Sequence, residues 1–173
     1  NAKKEDDIWV TGELGLAALG LAKLQSKIEL PQSLSKKAIR ALEKPMLYPS
    51  IIKSMGRLSH SAIDISDGLI ADLTHILEAS NVGANIFLKD IPMSTWIKKN
   101  KLFDIGLSGG DDYQLLFTAP KKNRNKINLV SKMPSIKLGR IGSIQKDKSL
   151  NIIDHKGMQY KLKKGGYDHF ETK

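Results

Sequence analysis

The alternation of apolar and polar residues changes period repeatedly along this chain, most clearly across residues 61–80, SAIDISDGLIADLTHILEAS. A two-residue period comes first, with Ile63 and Ile65 on one face of a strand and Asp64 and Ser66 on the other. Beyond Gly68 the apolar residues Leu69, Leu73, Ile76 and Leu77 recur at helical spacing, which predicts an amphipathic helix with Asp72, His75 and Glu78 turned away. Ser66 or Asp67 is expected to cap that helix, and Gly83 to close it as a left-handed residue.

The same reading places a strand at 6–12, ending on Gly12, and a Gly/Ala-rich helix at 12–24. A second helix runs from Pro31 to Glu43, stopped by Lys44 and Pro45. Residues 46–54 read as loop and turn. A strand at 84–88 and a short helix at 93–100, capped by Ser94, come next, with Trp96 expected in the core. A strand at 113–119, a basic helix at 121–132, a bent strand or strand pair around Gly139 and Gly142, and a hairpin around Lys156 and Gly157 complete the pattern. Strands alternating with single helices and ending in a hairpin predict an α+β fold, a layered α/β/α domain with a mixed sheet.

At 173 residues, with 40% hydrophobic and 27% charged positions, the chain suits one globular domain with a real core. It contains no cysteine, which excludes disulfides, thiolate metal sites and cysteine nucleophiles and fits a cytoplasmic protein. No apolar run approaches the roughly eighteen residues of a membrane span, and the first residues do not form a signal peptide. Asn1 in place of Met suggests a fragment, a trimmed chain or a proteolytic product.

The net charge of +10 raises the possibility of a nucleic-acid module. Against that, the excess is nearly all lysine in small scattered clusters, such as Lys36 with Lys37 and Lys163 with Lys164, and the only arginines are Arg40, Arg57, Arg124 and Arg140. Aromatics are 6% and do not interleave with the basic clusters, so a solvated lysine-rich surface is the better reading.

The candidate chemistry lies at the 61–80 junction. Taken alone, Asp67 beside Gly68 reads as a cap and turn. Asp64, set between two isoleucines, is expected to be partly buried, and a buried carboxylate needs a partner, a metal or a proton. Two acids converging on one helix N-terminus repel each other unless a cation joins them, and Mg²⁺, which prefers oxygen ligands, would serve. Gly68 would let a phosphate approach the helix amides. A second stretch, Ser108, Gly109, Gly110, Asp111, Asp112 and Tyr113, reads first as a tight loop before a strand, and second as a backbone cradle for an anion. Tyr167, in a glycine-hinged aromatic tail, could pack on the core or stack on a ring. A search for a phosphate loop fails, because Leu21 stands where the lysine belongs after Gly15 and Gly20, glycines that read instead as helix packing points.

The runs SAIDISDGLIADL, GLSGGDDYQLLFTAP and GYDHF together resemble thiamine-monophosphate kinase, within the superfamily of aminoimidazole ribonucleotide synthetase. The resemblance runs from about Asp6 to the C-terminus and corresponds to the C-terminal domain of such an enzyme. It implies that residues 1–173 are a single substrate- and nucleotide-binding domain, without the N-terminal domain that supplies further metal ligands and the homodimer interface. It implies ATP as co-substrate and Mg²⁺ as cofactor, with Asp64 and Asp67 binding the metal, Ser66 the nucleotide, and Asp111 and Tyr167 thiamine monophosphate. The fragment alone is then expected to be inactive. The family pattern Gly-Gly-Glu-Asp-Tyr-Glu-Leu differs here, since Asp111 and Gln114 each replace a glutamate, and Glu13 and Leu16 replace an expected Thr and Asp. Other ATP-using enzymes of the superfamily, a nucleic-acid module and an inert scaffold remain as alternatives.

Overall fold

The computed structural model describes residues 1–46, 49–130 and 137–162. Its strands are β1 (Asp7–Thr11), β2 (Ser61–Ile65), β3 (Gly83–Phe87), β4 (Gln114–Ala119), β5 (Leu138–Gln145) and β6 (Leu150–Ile153). They form one six-stranded sheet in the order β2-β4-β1-β5-β3-β6, with β2 and β6 at its edges. Every neighbouring pair is antiparallel except β3 with β6, so the sheet is mixed. The helices are α1 (Leu16–Leu24), α2 (Gln32–Glu43), α3 (Pro49–Met55), α4 (Leu69–Ser80), α5 (Thr95–Lys99), α6 (Phe103–Ser108) and α7 (Arg124–Val130).

Side-chain alternation along β1 and β4 sorts the helices into two layers. Ile8, Val10 and Leu116 face a large core that also holds Leu19 of α1, Leu69 and Leu73 of α4, Ile97 of α5 and Leu107 of α6. Trp9, Phe117 and Ala119 face the other way, onto Ile51 and Met55 of α3 and Ile127 of α7. The result is the expected α+β domain with helices on both faces of a mixed sheet. Helix α2 lies outside α1, where a Cβ on Gly20 would come within 2.5 Å of the Ala38 carbonyl oxygen, so Gly20 is a packing point.

Several local expectations need correction. Residues 46–54 are not all loop: α3 starts at Pro49, which suits a first helical turn, and buries Ile51 and Met55 one turn apart. Helix α6 was not expected either; six residues are too few for the helical period to register in sequence. The left-handed residue closing α4 is Asn81 (φ 55°), whereas Gly83 sits in β3, where any Cβ would meet the Asp147 carbonyl oxygen at 1.9 Å. The segment around Gly139 and Gly142 is one strand, and its pairing with β1 shifts register between Ile8 and Trp9. The final hairpin keeps its turn, but its return leg is a single bridge from Ile153 to Gln159. The basic helix begins as a 3₁₀ turn at Lys121–Asn123, while its expected end at Lys132 lies outside the described residues. Ser94 caps α5 as expected, accepting from the Ile97 amide at 3.2 Å, and Trp96 packs against the large core. Among the described residues no helix is long and apolar enough to cross a membrane.

The smaller core rests on one aromatic pair. Trp9 and Phe117 stack with ring centroids 6.3 Å apart and planes 6° from parallel, on strands that pair them directly. Phe117→Ala should therefore cost about 3–5 kcal/mol, read as a lower midpoint in urea unfolding with an unchanged denaturant slope.

Candidate active site

The two sequence motifs meet because β2 and β4 are antiparallel neighbours with Ile65 opposite Gln114. The chain leaving β2 and the chain arriving at β4 therefore pass side by side. The Asp111 amide donates to the Ser66 carbonyl at 2.9 Å and the Tyr113 amide to the Ile65 carbonyl at 2.8 Å. Side chains would obstruct this approach. Gly68 has φ 110°, and a Cβ there would lie 2.8 Å from the carbonyl carbon of Ser108; one on Gly110 would lie 2.5 Å from the Ser66 oxygen. Asp111 (φ 65°) and Tyr113 (φ 48°) hold left-handed conformations that non-glycine residues seldom adopt, a sign of a loop constrained from outside itself.

Around this junction the acids gather. Asp64 is exposed, not partly buried, because its neighbours along the edge strand β2 alternate and only Ile65 is fully covered. Asp67 is half-buried. Asp72 departs most from expectation: it is 2% exposed, on the inner side of α4. Neither Ser66 nor Asp67 caps α4, whose N-cap is Gly68 with no side-chain cap. Instead the Asp72 carboxylate reaches back over the first turn, and its Oδ2 accepts from the Ser66 amide at 3.0 Å and the Asp67 amide at 3.1 Å. Burial raises the Asp72 pKa above the ordinary range; those two amides oppose the rise, and the charges of Asp67 and Asp64 add to it. Single ligand atoms from Asp67, Asp72 and the exposed His75 lie within 4.8 Å of one another. The helical period marked Asp72 and His75 as outward-facing, so sequence reasoning missed both; an acid in the first turn of a helix was the available signal.

The second loop is held by another buried carboxylate. Asp112, 5% exposed, accepts from the Gly15 amide at 2.6 Å and the Ala17 amide at 3.1 Å, and so supplies the cap that α1 lacks in its own sequence. Its neighbour Asp111 is thereby left exposed at the surface. Gln114 is buried, accepts from the Thr11 hydroxyl at 2.8 Å and donates to the Asp112 carbonyl at 3.2 Å. Tyr167 lies outside the described residues.

Several basic residues are engaged with acids locally. Glu13 bridges Lys37 and Lys137; burial alone would raise its pKa, but the two ammoniums outweigh that and hold it below the usual range. Asp7, 1% exposed, takes the Arg124 guanidinium on both oxygens and Arg140 at 3.3 Å. His60 Nδ1 lies 2.8 Å from Asp6 Oδ2.

The model for the family described as "AIR synthase related protein, C-terminal domain" matches residues 3–155. Thiamine-monophosphate kinase of Buchnera aphidicola subsp. Schizaphis graminum is 39% identical over 180 residues, covering 98% of this chain and 54% of that protein. The crystal structure of thiamine-monophosphate kinase from Stenotrophomonas maltophilia K279a superposes with a TM-score of 0.79 at 31% identity, over 92% of this chain and 52% of the other. A structure described as AaThiL complexed with AMPPCP and TMP gives 0.78 at 27% identity, over 98% and 52%. The chain thus spans about half the length of the curated relatives it matches.

Burial pushes the Asp112 pKa up to about 6, over the opposition of the α1 amides. Between about pH 4 and 6 the folded state keeps a proton that the unfolded chain has released. Stability should therefore fall as pH rises through that window, by up to about 3 kcal/mol. Urea unfolding across pH 3.5–7.5 would show it as a difference between the unchanged protein and Asp112→Asn, whose curve should be flatter there.

Proposed function

Because the chain belongs to the family of AIR synthase related proteins, as their C-terminal domain, we propose that it is half of a kinase that transfers the γ-phosphoryl group of ATP to thiamine monophosphate. The products are ADP and thiamine diphosphate. The observation that carries this reading is the backbone pairing of the two motif loops, Asp111 to Ser66 and Tyr113 to Ile65, which sets a candidate nucleotide loop against a candidate substrate loop. Support comes from relatives named thiamine-monophosphate kinase and from the similar structure that carries AMPPCP and TMP together.

Phosphoryl transfer requires alignment and charge neutralisation more than covalent participation by the protein. In this reading Asp64 and Asp67 would hold Mg²⁺, Ser66 would contact the nucleotide, and Asp111 and Tyr167 would contact the thiamine monophosphate. Carboxylate oxygens suit a hard cation, and at this helix start ligand atoms of Asp67, Asp72 and His75 lie within 4.8 Å of one another, a group to which Asp64 on the strand before it does not belong. Bound there, Mg²⁺ would neutralise the negative charge of the phosphate oxygens. Asp111, one methylene shorter than the family glutamate, reaches less far, and its left-handed backbone and the Asp112 anchor behind it fix where its carboxylate begins.

The remainder of the site, further metal ligands and a homodimer interface belong in this proposal to an N-terminal domain, consistent with the half-length match to relatives. A cysteine-free chain using ATP fits the cytoplasm. In the full-length polypeptide, Asp67→Ala should cut Mg²⁺-dependent turnover by about a hundredfold, the scale seen when one group stabilising transferring charge is lost. Unchanged turnover and unchanged Mg²⁺ dependence in a coupled ADP-release assay would remove Asp67 from the metal site.

A further inference from the structure

Every residue assigned above to the metal or the nucleotide lies at positions 64–67, at the end of β2 and in the three-residue turn that leads into α4. A segment this short has little to hold its shape from within. Gly68, at φ 110°, is permissive, and α4 begins with no side-chain cap. The β4 side holds the segment's carbonyls, through the Asp111 and Tyr113 amides, and on the helix side the fixed element is Asp72, 2% exposed and packed in the first turn of α4, beside Leu69 and Leu73 of the large core. One of its oxygens accepts two successive amides, those of Ser66 and Asp67. Two consecutive N–H groups converging on one carboxylate oxygen fix the peptide plane between them, and with it the directions in which the Ser66 and Asp67 side chains leave the backbone. Keeping a carboxylate buried beside two other acids is costly, so the bonds it makes are the reason for its placement.

We propose that Asp72 is a positioning residue, which aims Ser66 at the nucleotide and Asp67 at the metal by clamping the backbone between them, without itself touching substrate. The kinetic consequence rests on the kinase reading; the structural consequence does not. The proposal assigns the work to an acceptor oxygen and not to a negative charge. Asparagine, whose amide oxygen can accept the same two N–H groups, should therefore replace Asp72, and alanine should not.

The test uses Asp72→Ala and Asp72→Asn in the full-length polypeptide, with hydrogen exchange followed on peptides spanning 63–70 and with saturation kinetics in ATP at fixed Mg²⁺. In Asp72→Ala the amides of Ser66 and Asp67 should lose protection while the strands β1, β4 and β5 keep theirs. Its KM for ATP should rise about tenfold, the factor that the loss of an ordinary buried hydrogen bond commands, with KM for thiamine monophosphate little changed. Asp72→Asn should restore both protection and KM to within about threefold. The proposal is overturned if Asp72→Ala leaves 63–70 protected, or if it lowers the melting temperature with KM for ATP unmoved, which is a core role alone. It is also overturned if Asp72→Asn keeps the segment protected yet is as impaired as alanine, which would make Asp72 a charge or a ligand. Should the unchanged protein transfer no phosphoryl group, the kinase reading fails, and the exchange measurements still decide what Asp72 does.

Discussion

The antiparallel ladder between β2 and β4 is the constraint on which the rest of the site depends. Its register, Ile65 against Gln114, brings the end of one strand and the start of the other to the same end of the sheet. Residues more than forty positions apart in sequence then share hydrogen bonds of 2.8 and 2.9 Å. Because side chains in a ladder alternate with a period of two, a slip by one position would turn Leu116 out of the large core and Phe117 out of the smaller one. The two cores thus protect the alignment of the two loops.

A second theme is the use of acids as internal fastenings in a chain whose surface is strongly basic. Asp72 and Asp112 are both nearly inaccessible, and each accepts from two backbone amides near the start of a helix. They differ in reach: Asp72 binds the loop before its own helix, whereas Asp112 caps α1 from across the fold. Asp7 is the counterpart on the other side of the sheet, satisfied by two guanidinium groups instead of amides.

Much of this was legible in the sequence. The strand running into a helix at 61–80, the strand after the second motif and the layered mixed sheet follow from periodicity, since long apolar stripes and two-residue alternation declare themselves without tertiary information. Short helices did not, because α3 and α6 span at most two turns and take their stability from packing. The structure brings the two motif stretches together, but their surroundings differ from what the sequence suggests. Helical spacing placed Asp72 outside because period alone cannot report a carboxylate bending back to its own N-terminus. Asp64 was expected to be covered because the residues beside it are apolar, but an edge strand leaves alternate positions open whatever flanks them. Gln114 and Asp112 could not be interpreted at all without knowing that Thr11 and the start of α1 lie next to them.

The position of β2 at the margin of the sheet has one more effect. Among the described residues no strand pairs with the outer rim of β2; such a rim is a template on which another chain can add itself, and Ala62 and Ile63 offer it no deterrent. The exposed charge of Asp64, next to the last residue of that strand, is a local obstacle to such association. One carboxylate can therefore carry two selective pressures, solubility and chemistry, and a substitution there is open to misreading as purely catalytic unless the solution state of the protein is watched alongside.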